Sequence, residues 1–115
     1  MDGFLGKGDY SYEPIPDWAH LPPELTLGDV AGIAVDNKDR VYLFNRGSDP
    51  VVVLNQNGDV LSTWGHGAFA NPHGASIGPD QCIYLTDNFD HTVRKFSLEG
   101  KLLLEIGTAG VSSGF

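Results

Sequence analysis

Apolar residues in this chain come in short runs separated by turn-forming residues, and several runs are apolar at consecutive positions rather than at alternate ones. Val51-Val52-Val53-Leu54 and Leu102-Leu103-Leu104 are the clearest cases. Successive side chains of a strand point to opposite sides, so such runs predict strands whose two faces both need cover. Around the first of them the pattern predicts strands over 32–35, 40–45, 51–55 and 60–64. Turn residues at Asn37–Asp39, Arg46–Pro50 and Gln56–Asp59 separate them.

This pattern recurs. Residues 32–65 align without a gap on residues 74–107, a shift of 42 positions (74 − 32). The shift pairs Gly32 with Gly74, Tyr42 with Tyr84, Leu43 with Leu85, Val51 with Val93, Gly58 with Gly100, Leu61 with Leu103 and Gly65 with Gly107. A four-stranded unit of this length, apolar on both faces, fits the blade of a β-propeller, which packs face to face on the next blade. The expected fold is therefore all-β, with two four-stranded propeller blades. Residues 1–31 form a leading strap or edge strand, 32–65 the first blade and 66–73 an inter-blade loop; residues 74–107 form the second blade and 108–115 a tail. Tyr10-Ser11-Tyr12, followed by Pro14 and Pro16, suits the edge strand, and Pro22-Pro23 reads as a linker.

Two blades alone would leave two apolar faces in water, so partners are expected. Phe115 falls opposite His73 in the repeat frame, where a third repeat would begin. The chain is then either part of a longer propeller or a unit that tiles. A whole number of repeats favours tiling, with three copies closing a six-bladed homotrimer.

Composition narrows the choice of partner. A formal charge of −8 repels phosphate backbones and anionic headgroups, which argues against nucleic acid and membrane surfaces. No secretory leader or membrane-length apolar run is present, so the chain reads as soluble and, by default, cytoplasmic. The single cysteine, Cys82, leaves no internal disulfide and reads as a buried strand residue.

Among residues with chemistry, His73 between Pro72 and Gly74 reads either as a turn residue or as a metal ligand. Arg46, flanked by Asn45 and Gly47, reads either as an anion-binding group or as a turn residue paired with Asp49. His91 suits a turn between strands, His66 a glycine-flanked loop and His20 a capping role. Asp36, Asp87 and Asp90 lack the dense spacing of a calcium loop and read as turn carboxylates. Trp18 and Trp64 read as packing residues.

The repeats resemble NHL repeats. Asp29 to Asp36, Phe44-Asn45-Arg46-Gly47 and Asn71-Pro72-His73-Gly74 resemble the peptidyl-α-hydroxyglycine α-amidating lyase family over about residues 25–110, the first third of such a protein. The resemblance implies a six-bladed propeller that splits a peptidyl-α-hydroxyglycine into a peptide amide and glyoxylate, with zinc on three histidines and calcium deeper in the channel. It implies that His73 is a zinc ligand and Arg46 the active-site arginine, and that Ile33 and Ala75 offer backbone carbonyls to calcium. The family's other zinc histidines and its active-site tyrosine belong to later blades. One histidine cannot hold catalytic zinc, which takes three protein ligands, but a homotrimer would bring three His73 side chains to one axis. Two readings follow: a zinc-dependent lyase-like ring with a peptide substrate, or a non-catalytic binding or scaffold propeller of the same form.

Overall fold

The computed structural model describes residues 3–114; the place of Phe115 in the repeat frame and the first two residues of the leading segment lie outside the described residues. The described chain is all-β. A small hairpin of β1 (Leu5–Lys7) and β2 (Tyr10–Tyr12) comes first. Next follow β3 (Val30–Val35), β4 (Val41–Asn45), β5 (Val51–Leu54) and β6 (Val60–Trp64), and then β7 (Pro72–Ile77), β8 (Cys82–Asp87), β9 (Thr92–Ser97) and β10 (Leu102–Ile106). Strands β3 to β6 form one antiparallel four-stranded meander and β7 to β10 another, each in sequence order from inner to outer strand. These are two propeller blades.

The inner strands begin earlier than the glycine that opens each repeat. β7 starts at Pro72, inside the stretch read as the inter-blade loop, and its register against β8 slips between Pro72 and Ala75. β3 slips in the same way against β4, between Val30 and Gly32. Proline is tolerated as a strand's first residue because no ladder donor is needed there.

The blades meet through a continuous apolar joint. Tyr42, Phe44, Val51 and Val53 of the first blade pack with Ile83, Leu85 and Phe96 of the second, all at most 5% exposed. Phe69, on the crossover between β6 and β7, fills the joint edge-on to Phe44 with ring centres 4.8 Å apart. Trp64 lies 5.1 Å from Phe96. Each fully buried side chain of this size contributes roughly 1.5–3 kcal/mol of transfer free energy, so the joint is the main stabilising contact between the sheets.

The faces turned away from this joint are covered unequally, and Ile33 and Val35 on the first blade stay 60% and 53% exposed. On the first blade, Leu43, Val52 and Leu54 are covered by the chain's own segment 18–27, through Trp18, Ala19, Leu21, Leu25 and Leu27. Pro22-Pro23 is part of that cover rather than a linker: the Leu25 N–H donates to the Pro22 carbonyl at 3.0 Å. On the second blade, β8 and β9 alternate strictly between buried and half-exposed residues, so Tyr84, Thr86 and Lys95 meet solvent where the first blade has Tyr42, Phe44 and Val53. The run Leu102-Leu103-Leu104, expected to be covered on both faces, sits on the outermost strand and is about half exposed throughout (50%, 46% and 51%).

The repeat extends back into the leading segment. Subtracting 42 from Phe69 gives Leu27, which packs on the first blade as Phe69 packs on the second. The crossover is pinned in the same way in both blades. In the first, the Asn45 side-chain oxygen accepts from the N–H groups of Gly28 (3.1 Å) and Gly47 (2.8 Å). In the second, the equivalent Asp87 accepts from Ala70 (2.6 Å), Asn71 (3.1 Å), Phe89 (3.0 Å) and Asp90 (2.9 Å). Burial pushes the Asp87 carboxyl up, but the N–H groups of Asp90, Asn71, Ala70 and Phe89 outweigh it and hold the carboxyl below its ordinary value of 3.8.

Two outcomes follow from this packing. Leu85→Ala, at the centre of the joint, lowers unfolding free energy by about 2–5 kcal/mol, whereas Leu104→Ala on the exposed outer strand changes it by about 0.5 kcal/mol or less; urea denaturation of both variants separates them. Because Asp87 is depressed in the folded state, its contribution is complete above the unfolded carboxylate value and is lost as pH falls through the folded one. Asp87→Asn puts an NH2 group against backbone donors, costs about 1–3 kcal/mol at neutral pH, and removes part of the acid-side slope in a pH series of melts.

Candidate functional site

The turns after β4, β6 and β8 gather at one end of the two blades, and the candidate residues lie there. Arg46 is the first residue beyond β4, its N–H donating to the Asp29 carbonyl at 3.0 Å. His73 is the second residue of β7, inside the register slip. They are 27 residues apart in sequence, yet an Arg46 terminal nitrogen lies 3.5 Å from His73 Nδ1. Arg46 Nε donates to the Pro72 carbonyl at 2.9 Å. Both side chains are exposed, so the pair faces solvent at the inner rim.

Backbone proximity brings them together. A Cβ on Gly32 of β3 would meet the Ala75 nitrogen at 2.9 Å and the His73 carbonyl at 3.2 Å, so the two inner strands touch where glycine leaves room. The crossover that delivers β7 is held at Ala70 and Asn71 by Asp87, which fixes where His73 starts. Asn45 and Asp87 therefore position this rim. Their shared place in the repeat frame, each beside a turn, is the signal in the sequence that could have found Asn45.

Arg46 does not pair with Asp49: among the described residues it makes no contact with a carboxylate within ion-pair distance. The other rim arginine, Arg94, is taken up by Asp90 (2.9 Å) and Glu105 (2.6 Å). Arg46 is thus the rim cation left to receive an anion, and its planar guanidinium suits a carboxylate.

Ile33 and Ala75 occupy equivalent places on neighbouring inner strands, paired with Leu43 and Leu85. The Ile33 side chain is 60% exposed, while Ala75 packs against the joint. No group of three or more histidine, cysteine, aspartate or glutamate side chains able to hold a metal occurs among the described residues. His73 alone does not meet the three-ligand need of catalytic zinc. Its Nδ1 lies within reach of the Arg46 guanidinium, while no hydrogen bond to its Nε2 is formed among the described residues.

The remaining candidates take structural places. His20 pairs with Asp59 at 2.9 Å, His66 Nδ1 lies 2.7 Å from the Ser48 carbonyl, and His91 has a positive φ of 59° in the turn between β8 and β9. Asp36 accepts from the backbone N–H groups of Lys38 and Arg40 and from the Tyr42 hydroxyl (2.9 Å). Burial raises its carboxyl, but the bonds from Arg40, Lys38 and Tyr42 prevail and lower it. Cys82 is half-buried rather than enclosed. Trp18 reaches the Gln56 carbonyl at 3.2 Å, and the Trp64 indole N–H is buried without a partner.

No helix among the described residues is long and apolar enough to cross a membrane. No family model matches the chain. It is 30% identical to peptidylglycine alpha-amidating monooxygenase of Rattus norvegicus, over 85% of this chain and 13% of that protein. It is 29% identical to the Mus musculus protein of that description, over 84% of this chain and 13% of the relative. NHL repeat-containing protein 3 of Homo sapiens is 34% identical over 76% of this chain and 28% of its own length. The chain thus spans about an eighth of the amidating relatives and just over a quarter of the NHL relative. Two meandering four-stranded blades and similarity to relatives of these two kinds make the chain a piece of propeller-type fold that is NHL-like in sequence.

Proposed function

We propose that this chain is a ring-forming NHL-type unit whose Arg46–His73 rim binds the anionic end of a peptide ligand. The observation that carries the reading is the convergence of Arg46 and His73 to 3.5 Å, with Arg46 unopposed by any carboxylate among the described residues. A guanidinium held by the Pro72 carbonyl and free on its outer edge presents paired donors in the plane that a carboxylate needs. His73 beside it offers a second polar contact to the same ligand.

The lyase-like form of this reading adds zinc, and it needs ligands from beyond one chain. Three copies closing a six-bladed ring would set three His73 rings around the axis, with Arg46 placed to orient the substrate carboxylate. Zinc, when held, would polarise the hydroxyl of an α-hydroxyglycine substrate. The backbone at Ile33 and Ala75 would line the deeper calcium position. The binding or scaffold form requires neither metal and needs only the Arg46–His73 rim that one chain already presents.

The two forms separate experimentally. Titration of a fluorescent peptide ending in a free carboxylate is expected to show saturable binding that weakens at least tenfold in Arg46→Ala and for the C-terminally amidated peptide; equal affinity of both peptides would overturn carboxylate recognition. Elemental analysis of zinc-equilibrated protein, with glyoxylate release from an α-hydroxyglycine peptide, tests the lyase form. About one zinc per three chains, lost in His73→Ala, supports it; metal-free protein that still binds the free-acid peptide leaves the scaffold form.

A further inference from the structure

We infer that residues 18–27 are a displaceable self-cap, competing with the outermost strand of a second copy of this chain for the outward face of the first blade. The inference rests on the ring-forming reading above. The repeat frame carries it first. Residues 18–22 lie 42 positions before 60–64, and 60–64 lie 42 before 102–106, so the cap, β6 and β10 are corresponding stretches of the repeat frame.

Contacts put the cap against the same part of its blade, although Trp18 and not Pro22, the frame counterpart of Trp64, meets the glycine. On the second blade, Trp64 of β6 stacks toward Phe96, and a Cβ on Gly100 would meet its ring at 2.7 Å. The equivalents of Phe96 and Gly100 on the first blade are Leu54 and Gly58. Leu54 is buried in the cluster that Trp18, Ala19 and Leu21 cover, and a Cβ on Gly58 would run into the Trp18 carbonyl. The N–H of His20 donates to the Gly58 carbonyl at 2.8 Å. A second copy's β10 can reach Leu54 and Gly58 only after the cap has left.

The cap also covers its face incompletely. Ile33 and Val35, on the inner strand of the first blade, remain 60% and 53% exposed. Their equivalents Ala75 and Ile77 are packed into the joint when a whole blade lies against them. The uncovered strip is therefore what a full blade would bury and a ten-residue segment does not. The matching surface is present on the same chain: Leu104 and Ile106 of β10 are 51% and 55% exposed, and Ile106 holds the place of Trp64. That continuity with the internal joint identifies the occupant as a second copy.

The cap is lightly held, as an exchangeable element must be. Of its residues only Leu25 is buried, and its polar ties are the His20 N–H bond, the exposed His20–Asp59 pair and the Trp18 bond to Gln56. Apparent affinity between copies falls by the fraction of chains with the cap open. Loosening the cap therefore tightens association.

Sedimentation of the full chain and of Trp18→Ser/Leu21→Ser tests this, with Trp64 as the remaining tryptophan reporting an intact blade joint; the milder Trp18→Ala serves if the double variant loses that signal. The expected result is self-association at least tenfold tighter in the cap variant, abolished by adding Ile106→Asp. A folded cap variant that associates no more tightly than an associating wild type overturns the competition and leaves the ring standing. If neither associates at any concentration, the ring reading falls and the cap proposal with it.

Discussion

Face-to-face burial between the two sheets is the contact on which the rest of this molecule depends. Tyr42, Phe44, Val51 and Val53 on one side and Ile83, Leu85 and Phe96 on the other form a single buried layer. Without it each meander would be an isolated sheet with wet faces, which is marginal in water. The joint also sets the angle at which β7 approaches β3. That approach, at Gly32 and Ala75, places His73 beside Arg46. The rim is in this sense a by-product of core packing, refined by Asn45 and Asp87, which tie each crossover to the end of a strand.

The repeat was readable from residues because both blades space their strands alike, with similar residues at the same intervals. Tyr42 and Tyr84 keep even their partner: each hydroxyl donates to a carboxylate, Asp36 at 2.9 Å and Asp80 at 3.0 Å, although these carboxylates do not align in the frame. The self-covering segment was not readable. It corresponds to β6 only by its place in the repeat frame, with Leu21 opposite Thr63 and Trp18 opposite Val60, so no identity survives to be seen. The two paired prolines looked like a spacer, because proline signals an interrupted ladder whether or not the segment packs. Runs of leucine misled in a related way. Leu102-Leu103-Leu104 satisfies the rule for a covered strand, but cover depends on where the strand falls in the sheet, and these residues lie at the margin.

At the rim, the identities of Arg46 and His73 came from resemblance, and their adjacency came from the fold. A pairing between Arg46 and Asp49, three residues on, was the simpler local expectation. The Pro72 carbonyl wins instead, since the strand arriving from the second blade presents a fixed acceptor to the guanidinium at no further cost in backbone order. Histidines 20, 66 and 91 illustrate the converse: each is accounted for by a nearby backbone or turn, and their spacing in the sequence carried no information about a shared site.

The sheet of the second blade ends at β10 with one edge open. Such a margin offers a row of backbone donors and acceptors to any extended peptide, and four of its five side chains are leucine or isoleucine. Glu105 is the lone charge in that strand, held in place by Arg94 at 2.6 Å. A charge placed within an apolar edge strand is the kind of residue that discourages indiscriminate strand addition, and here its position is set by a partner on the neighbouring strand.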